Sequence, residues 1–137
     1  MKLIVDTNRI IAALIKDSYC RRIILSEKIE LFTLGFGVSE VKKYTNYILK
    51  KTKLQETEFN ELMNTLLAKM TVFEETDISK KNYFKAKEIM EKIDENDVPF
   101  IALALEIEND GIWSDDKHFT EQKKVKVWPT KTLVKKF

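Results

Sequence analysis

The sequence predicts an α/β fold, a three-layer α/β/α sandwich around a central parallel sheet of about five strands. Three observations carry that expectation. Short apolar runs alternate with stretches of helical periodicity along the chain, the pattern of βαβ units. Two of the strand-like runs end directly in acid: Leu3-Ile4-Val5 runs into Asp6, and Ile112-Trp113-Ser114 into Asp115-Asp116. Gly and Pro are scarce, three and two in 137 residues, and no Ser/Gly-rich linker or internal repeat interrupts the pattern, so one domain over 1–137 is expected.

In order, Lys2–Asp6 reads as the first strand and a helix follows from about Asn8 to Lys16. A second helix is expected near Ser18–Ser26, and Ile29–Leu34 is strand-like. Ser39–Lys51 reads as one helix, with Val41, Tyr44 and Ile48 on a stripe. Gln55–Met70 has the strongest helical period: Phe59, Leu62, Met63, Leu66, Leu67 and Met70 share one face, which marks core packing. Thr71–Glu74 predicts a strand and Ser79–Ile93 a helix. Asp97–Glu108 is helical, with Pro99 tolerated in its first turn. Gly111–Ser114 and Val125–Trp128 complete the strands, and Thr130 is placed to cap a final short helix.

Composition narrows the function classes. With 44% hydrophobic and 34% charged residues the chain resembles neither disordered nor low-complexity sequence. Apolar runs such as Ile10–Ile15 fall far short of the about 20 residues a membrane-spanning helix needs. Asp6 interrupts the N-terminal apolar run too early for a signal peptide, and Cys20 is the only cysteine, so a cytoplasmic protein is expected without a disulfide or a cysteine-based metal site. The net charge is only +2, but it is unevenly spread. Val41–Gln55 holds five lysines and no acid, Lys117–Phe137 seven lysines against Glu121 alone, and Glu74–Asp110 eleven acids against five lysines. Two basic segments around an acidic middle suit a polyanion meeting an acidic centre, although each lysine run alone reads first as a solvated face.

Open α/β sheets bind ligands beyond the carboxyl ends of their strands, where strand order reverses. Asp6 and Asp115-Asp116 end strands there, Asp97 begins a helix, and Glu40 lies near a helix start after the turn Gly35-Phe36-Gly37. Singly, each acid has an ordinary explanation. Asp97 suits an N-cap, as does Asn8 for the first helix. Glu40 complements a helix dipole, and Asp115 and Asp116 suit a turn.

Taken together, four strings point further: Val5-Asp6-Thr7-Asn8, Ser39-Glu40-Val41, Asp94 through Leu105, and Trp113-Ser114-Asp115-Asp116-Lys117. In this order they resemble the PIN-domain ribonuclease family, which includes VapC-like toxins and an archaeal and bacterial subgroup of unassigned substrate. The resemblance covers essentially the whole chain and implies a PIN-like sandwich. It also implies an acidic quartet at Asp6, Glu40, Asp97 and Asp116, with Asp115 as an alternative or additional metal ligand. Thr7, Asn8, Ser114 and Asp94 would support the quartet. The implied cofactor is Mg²⁺ or Mn²⁺ and the implied activity is endoribonuclease hydrolysis of single-stranded RNA. The implied partners are RNA, a second copy in a homodimer and a small antitoxin protein, with no membrane involved.

The residue types agree with that chemistry. Hard cations take carboxylate oxygens, one or two directly per ion, and paired ions assist phosphodiester hydrolysis. The single histidine excludes a two-histidine mechanism, and His118 reads as a surface loop residue. No Ser/His/Asp triad, P-loop or GxGxxG motif is present. Asp6-Thr7-Asn8 lacks the second acid two positions on that haloacid-dehalogenase-type phosphatases need, and the paired acids of response-regulator receivers are missing too. For RNA, Arg9, Lys43, Tyr44, Tyr47 and Lys117 are the candidate contacts, through phosphate neutralisation and base stacking. For Tyr44, packing in the core beside Val41 and Ile48 is the competing expectation. A PIN-like module that binds RNA or a protein without cutting is the alternative for the whole chain.

Overall fold

A computed structural model describes residues 1–137 of the chain. Five parallel strands, β1 (Lys2–Val5), β2 (Glu30–Leu34), β3 (Met70–Phe73), β4 (Ile112–Trp113) and β5 (Val127–Trp128), lie in the order β3-β2-β1-β4-β5. Strand order therefore reverses at β1, which has β2 on one side and β4 on the other.

The strand pleat sorts the core into two layers, because alternate side chains face opposite sides of the sheet. Leu3, Val5, Leu31 and Trp113 meet one set of helices: α1 (Thr7–Ile15), α2 (Tyr19–Leu25), α4 (Thr45–Thr52), α5 (Glu56–Leu67) and α9 (Thr130–Lys136). Ile4, Phe32, Leu34 and Ile112 meet α6 (Lys80–Met90), α7 (Val98–Glu106) and Phe119 of the short α8 (Lys117–Thr120) on the other face. The remaining helix, α3 (Gly35–Lys43), leaves β2 directly and packs on α1. The expected α/β/α sandwich with a five-stranded parallel sheet is the fold observed. The apolar face of α5 is confirmed as core, with Phe59, Met63 and Leu66 buried.

Two glycines permit close approaches. Gly111 has φ +136°, a region L-residues avoid, and a Cβ there would lie 2.5 Å from the Lys126 carbonyl oxygen. A Cβ at Gly37 would lie 2.9 Å from Thr7 Oγ1, so α3 crosses the first turn of α1 only without a side chain.

Several expected boundaries shift for identifiable reasons. Ser39–Lys51 is two helices rather than one. Tyr44 sits between them at φ −90°, ψ 8°, and Thr45 Oγ1 donates to the Lys42 carbonyl at 2.7 Å, competing with the helical ladder. Gly35-Phe36-Gly37 is the first turn of α3, so Glu40 lies in its second turn. Asn8 does not cap α1: Asp6 does, accepting from the Arg9 amide at 2.9 Å. Thr130 lies inside α9 and Pro129 takes the cap position, while the Thr130 hydroxyl turns toward Asp115. His118 lies in α8, a helix the charged sequence around it concealed. No helix is long and apolar enough to cross a membrane.

Candidate metal centre

At the carboxyl ends of β1 and β4, beside the reversal point, opens a cleft of about 360 Å³. Asp6, Glu40, Asp94, Asp97 and Asp116 line it, together with Thr7, Asn8 and Tyr44 and a wall of Phe36, Phe100 and Phe119. The four expected quartet positions thus come from β1, α3, the turn before α7 and the loop after β4, and share one concavity. A larger cleft of about 640 Å³ runs along α6 beside Tyr83 and Phe84. It lies away from the strand ends, and its Glu88, Glu91 and Glu95 are exposed side chains on a solvated helix and turn.

Each acid is held differently. Asp6 follows β1 without a break and is buried, because the sheet's central strand ends beneath two helices. One of its oxygens, Oδ1, caps α1 through the Arg9 amide, and the other, Oδ2, accepts the Ser114 hydroxyl. Ser114 Oγ in turn accepts from the Asp116 amide at 3.0 Å, so one buried hydroxyl joins the acids after β1 and β4. Asp116 Oδ1 caps α8 through the His118 amide at 2.9 Å. Asp97 sits at the cap position of α7 but makes no capping bond, at φ −92°, ψ −7°. Its Oδ2 is buried and receives no hydrogen bond. Glu40 is exposed on the rim.

Burial, and then the nearby charges of Asp94, Asp116 and Asp6, push the Asp97 carboxyl up to about 7, with His118 opposing. Burial also raises the Asp6 carboxyl, against the hydrogen bonds from Ser114 and the Arg9 amide, which favour its charged form. Carboxylates crowded in this way, one with a bare buried oxygen, form a centre of negative potential that a cation would relieve.

His118 is exposed, as expected, but it sits on α8 rather than in a loop and stands at the rim of the acid cluster. Its Nδ1 lies 3.0 Å from Asp94 Oδ2, 3.5 Å from Asp116 Oδ1 and 4.0 Å from Asp97 Oδ2. Asp94, Asp97 and His118 have donor atoms close enough to hold one metal ion. The signal was the spacing to Asp116: the His118 amide donates to the Asp116 cap, which keeps the residue next to that acid.

Asp115 corrects the expectation of a metal ligand. It faces away from the cleft, where Oδ2 accepts from Arg9 Nη1 at 2.7 Å and Thr130 Oγ1 at 2.6 Å, and Oδ1 from the Thr130 amide at 2.7 Å. Arg9 is thereby corrected as a phosphate contact. Its guanidinium is held by Asp115 and lies 3.4 Å from Cys20 Sγ. Of the other expected RNA contacts only Tyr44 lines the cleft. It is about half exposed rather than core, whereas Val41 and Ile48 are fully buried. Tyr47 stands beside it, ring centroids 6.4 Å apart, with Lys51 Nζ 5.5 Å over its ring. Lys43 and Lys117 are exposed outside the cleft.

The family model of the PIN domain matches residues 4–137. The chain belongs to the PIN-domain family. PIN domains are typically nucleases, and the acid-lined cleft lies where this fold exposes its strand ends. No curated protein matches the sequence. Among solved structures, the PIN chain is similar to one in the crystal structure of VapBC2 from Rickettsia felis bound to a DNA fragment from their promoter. The match has a TM-score of 0.65 and 14% identity, and covers 94% of this chain and 98% of that one. At this identity the likeness bears on the fold.

Proposed function

We propose that this PIN domain is an endoribonuclease that hydrolyses phosphodiester bonds of single-stranded RNA with Mg²⁺ or Mn²⁺, and is the toxin of a toxin–antitoxin pair. The observation that carries the reading is the convergence of Asp6, Glu40, Asp97 and Asp116 on one cleft. The residues fit a divalent cation: the donors are hard oxygens, and the buried Asp97 Oδ2 lacks any hydrogen-bond partner. Asp6, Asp97 and Asp116 would hold the ion, with Glu40 closing from the rim and Asp94 and His118 alongside.

Such an ion, when bound, would supply charge neutralisation at the phosphate and a lowered pKa for an attacking water. The protein's own residues set the conditions. Ser114 and the Arg9 amide favour the charged form of Asp6. Phe36, Phe100 and Phe119 give the cleft an apolar wall that limits water on one side. Tyr44 offers a half-exposed ring on which an unpaired base can stack. The lysines of Val41–Gln55 and Lys117–Phe137 would attract the phosphate backbone from either flank.

The likeness in fold to VapBC2 supports the toxin role, with a small antitoxin protein as one partner and a second copy of the chain as another. Incubation of the purified protein with a mixed single-stranded RNA pool, in Mg²⁺, in Mn²⁺ and in EDTA, tests the activity. Cleavage in either metal that stops in EDTA and in Asp97→Ala is expected. Cleavage that persists in EDTA would overturn the metal mechanism, and no cleavage in either metal would favour a non-cleaving binding module.

A further inference from the structure

We infer that Arg9 and Asp115 are positioning residues for the metal centre: their ion pair, braced by Thr130, fixes the Ser114–Asp116 loop so that Asp116 faces Asp6 and Asp97. The inference rests on the metal-site reading above.

The loop leaves β4 extended, so successive side chains point to opposite sides. Ser114 and Asp116 turn toward the cleft and Asp115 turns away. On the cleft side the loop is anchored by Ser114, bonded to Asp6 and to the Asp116 amide, and by the Asp116 cap on the His118 amide. On the far side Asp115 accepts three hydrogen bonds between 2.6 and 2.7 Å, from Arg9 Nη1, Thr130 Oγ1 and the Thr130 amide. Thr130 Oγ1 is itself fixed, accepting from Nε1 of the fully buried Trp113 at 2.9 Å. Rotation of Asp115 would therefore lose its bonds to Arg9 and to Thr130, the first residue of α9, which is itself tied to Trp113.

Arg9 ties the two sides together. Its main-chain amide donates to Asp6 Oδ1, while its guanidinium donates to the neighbour of Asp116. One residue thus holds one acid of the centre directly and a second through the chain. The Arg9 side chain is largely buried, 19% exposed, while Asp115 is 35% exposed, so the pair is screened on the Asp115 side only and its effect rests on geometry as much as on charge. Groups that hold metal ligands from behind commonly change metal affinity or activity roughly 10- to 100-fold when removed.

Electrostatics alone predicts the opposite sign, which makes the inference testable. Arg9→Gln removes a positive charge near the centre, so simple charge balance would tighten cation binding. Loss of positioning would weaken it. Mn²⁺ binding to the purified protein, measured by isothermal titration calorimetry, should weaken about 10-fold in Arg9→Gln and recover in part in Arg9→Lys. Thr130→Val, which removes the hydroxyl but no charge, should also weaken binding, and serves if Arg9→Gln does not fold. A role confined to packing would lower the melting temperature and leave Mn²⁺ affinity unchanged. Affinity equal to or tighter than wild type in folded Arg9→Gln, or unchanged in Thr130→Val, would overturn the inference. A wild-type protein that binds no Mn²⁺ would instead overturn the reading of the site itself.

Discussion

Ser114 donates its hydroxyl to Asp6 across a separation of 108 residues, and so fixes the orientation of a buried acid from the end of the neighbouring strand. Register makes the contact possible: Val5 pairs with Trp113 in the parallel ladder, which brings the residues that follow each strand side by side. Ser114→Ala should leave Asp6 Oδ2 without its donor and the Asp116 amide without its acceptor. A loss of about 1 kcal/mol in stability is expected, with a larger relative loss of cleavage, since two acids lose alignment. Urea unfolding and single-turnover cleavage of the same preparation check both.

Asp97 gives the pH prediction. Its carboxyl titrates near 7 when folded, and near 4 when unfolded. The folded state therefore holds a proton that the unfolded state has lost, so stability falls as pH rises from about 4 to 7 and then levels. Asp97→Asn removes this penalty. Without metal the variant should be more stable than wild type at pH 7.5, by up to about 4 kcal/mol for about three units of pKa, with the gap closing toward pH 4. A gap independent of pH would place the effect in packing rather than in charge.

Added Mg²⁺ should raise the melting temperature of the wild type by mass action, and EDTA should reverse the rise. Asp97→Asn and Asp116→Asn should respond less. Equal shifts in all three proteins, read by differential scanning fluorimetry, would mean that the ion binds elsewhere.

Tyr44→Ala should weaken binding of a short single-stranded RNA by roughly 1–3 kcal/mol, the range for loss of one base–aromatic stack. Mn²⁺ affinity should stay at the wild-type value, because Tyr44 offers the site no charged oxygen. Fluorescence anisotropy with labelled RNA in Ca²⁺ or EDTA gives the first number, and calorimetry the second.

The C-terminal lysines make a separate prediction. Lys123 Nζ donates to the Thr120 carbonyl at 3.1 Å and Lys126 Nζ lies 4.0 Å above the Trp128 ring, while Lys124 is exposed. Replacing all three by Gln should flatten the slope of log affinity against log salt by about 0.7 for each phosphate that these lysines neutralise. An unchanged slope would mean that they form only a solvated face.

Most of the fold was legible because two patterns dominate the sequence. The short apolar runs of β1 and β2, buried almost throughout, and the stripe of α5 each follow from which side chains must be buried. The acids after β1 and β4 were legible for the same reason, since a strand that ends in Asp at the carboxyl edge of a parallel sheet has few other places to put it. What the sequence left open was direction. Asp115 and Asp116 are equivalent as letters, and only the extended loop between β4 and α8 assigns one to Arg9 and the other to the cleft. Arg9 read as free because Asp115 and Thr130 are distant in sequence. His118 read as a loop residue because α8 is short and charged, with Phe119 its only buried side chain. The break at Tyr44 depended on a hydroxyl-to-carbonyl bond that periodicity does not register.

The central claim is that Asp6, Glu40, Asp97 and Asp116 form one cation site, and anomalous diffraction from crystals soaked in Mn²⁺ tests it most directly. An anomalous peak is expected inside the cleft, within coordinating distance of Asp97 Oδ2 and of a carboxylate oxygen from Asp6 or Asp116, and absent from crystals of Asp97→Asn. A fully soaked crystal with no peak in the cleft, or with a peak that persists there in Asp97→Asn, would contradict the claim.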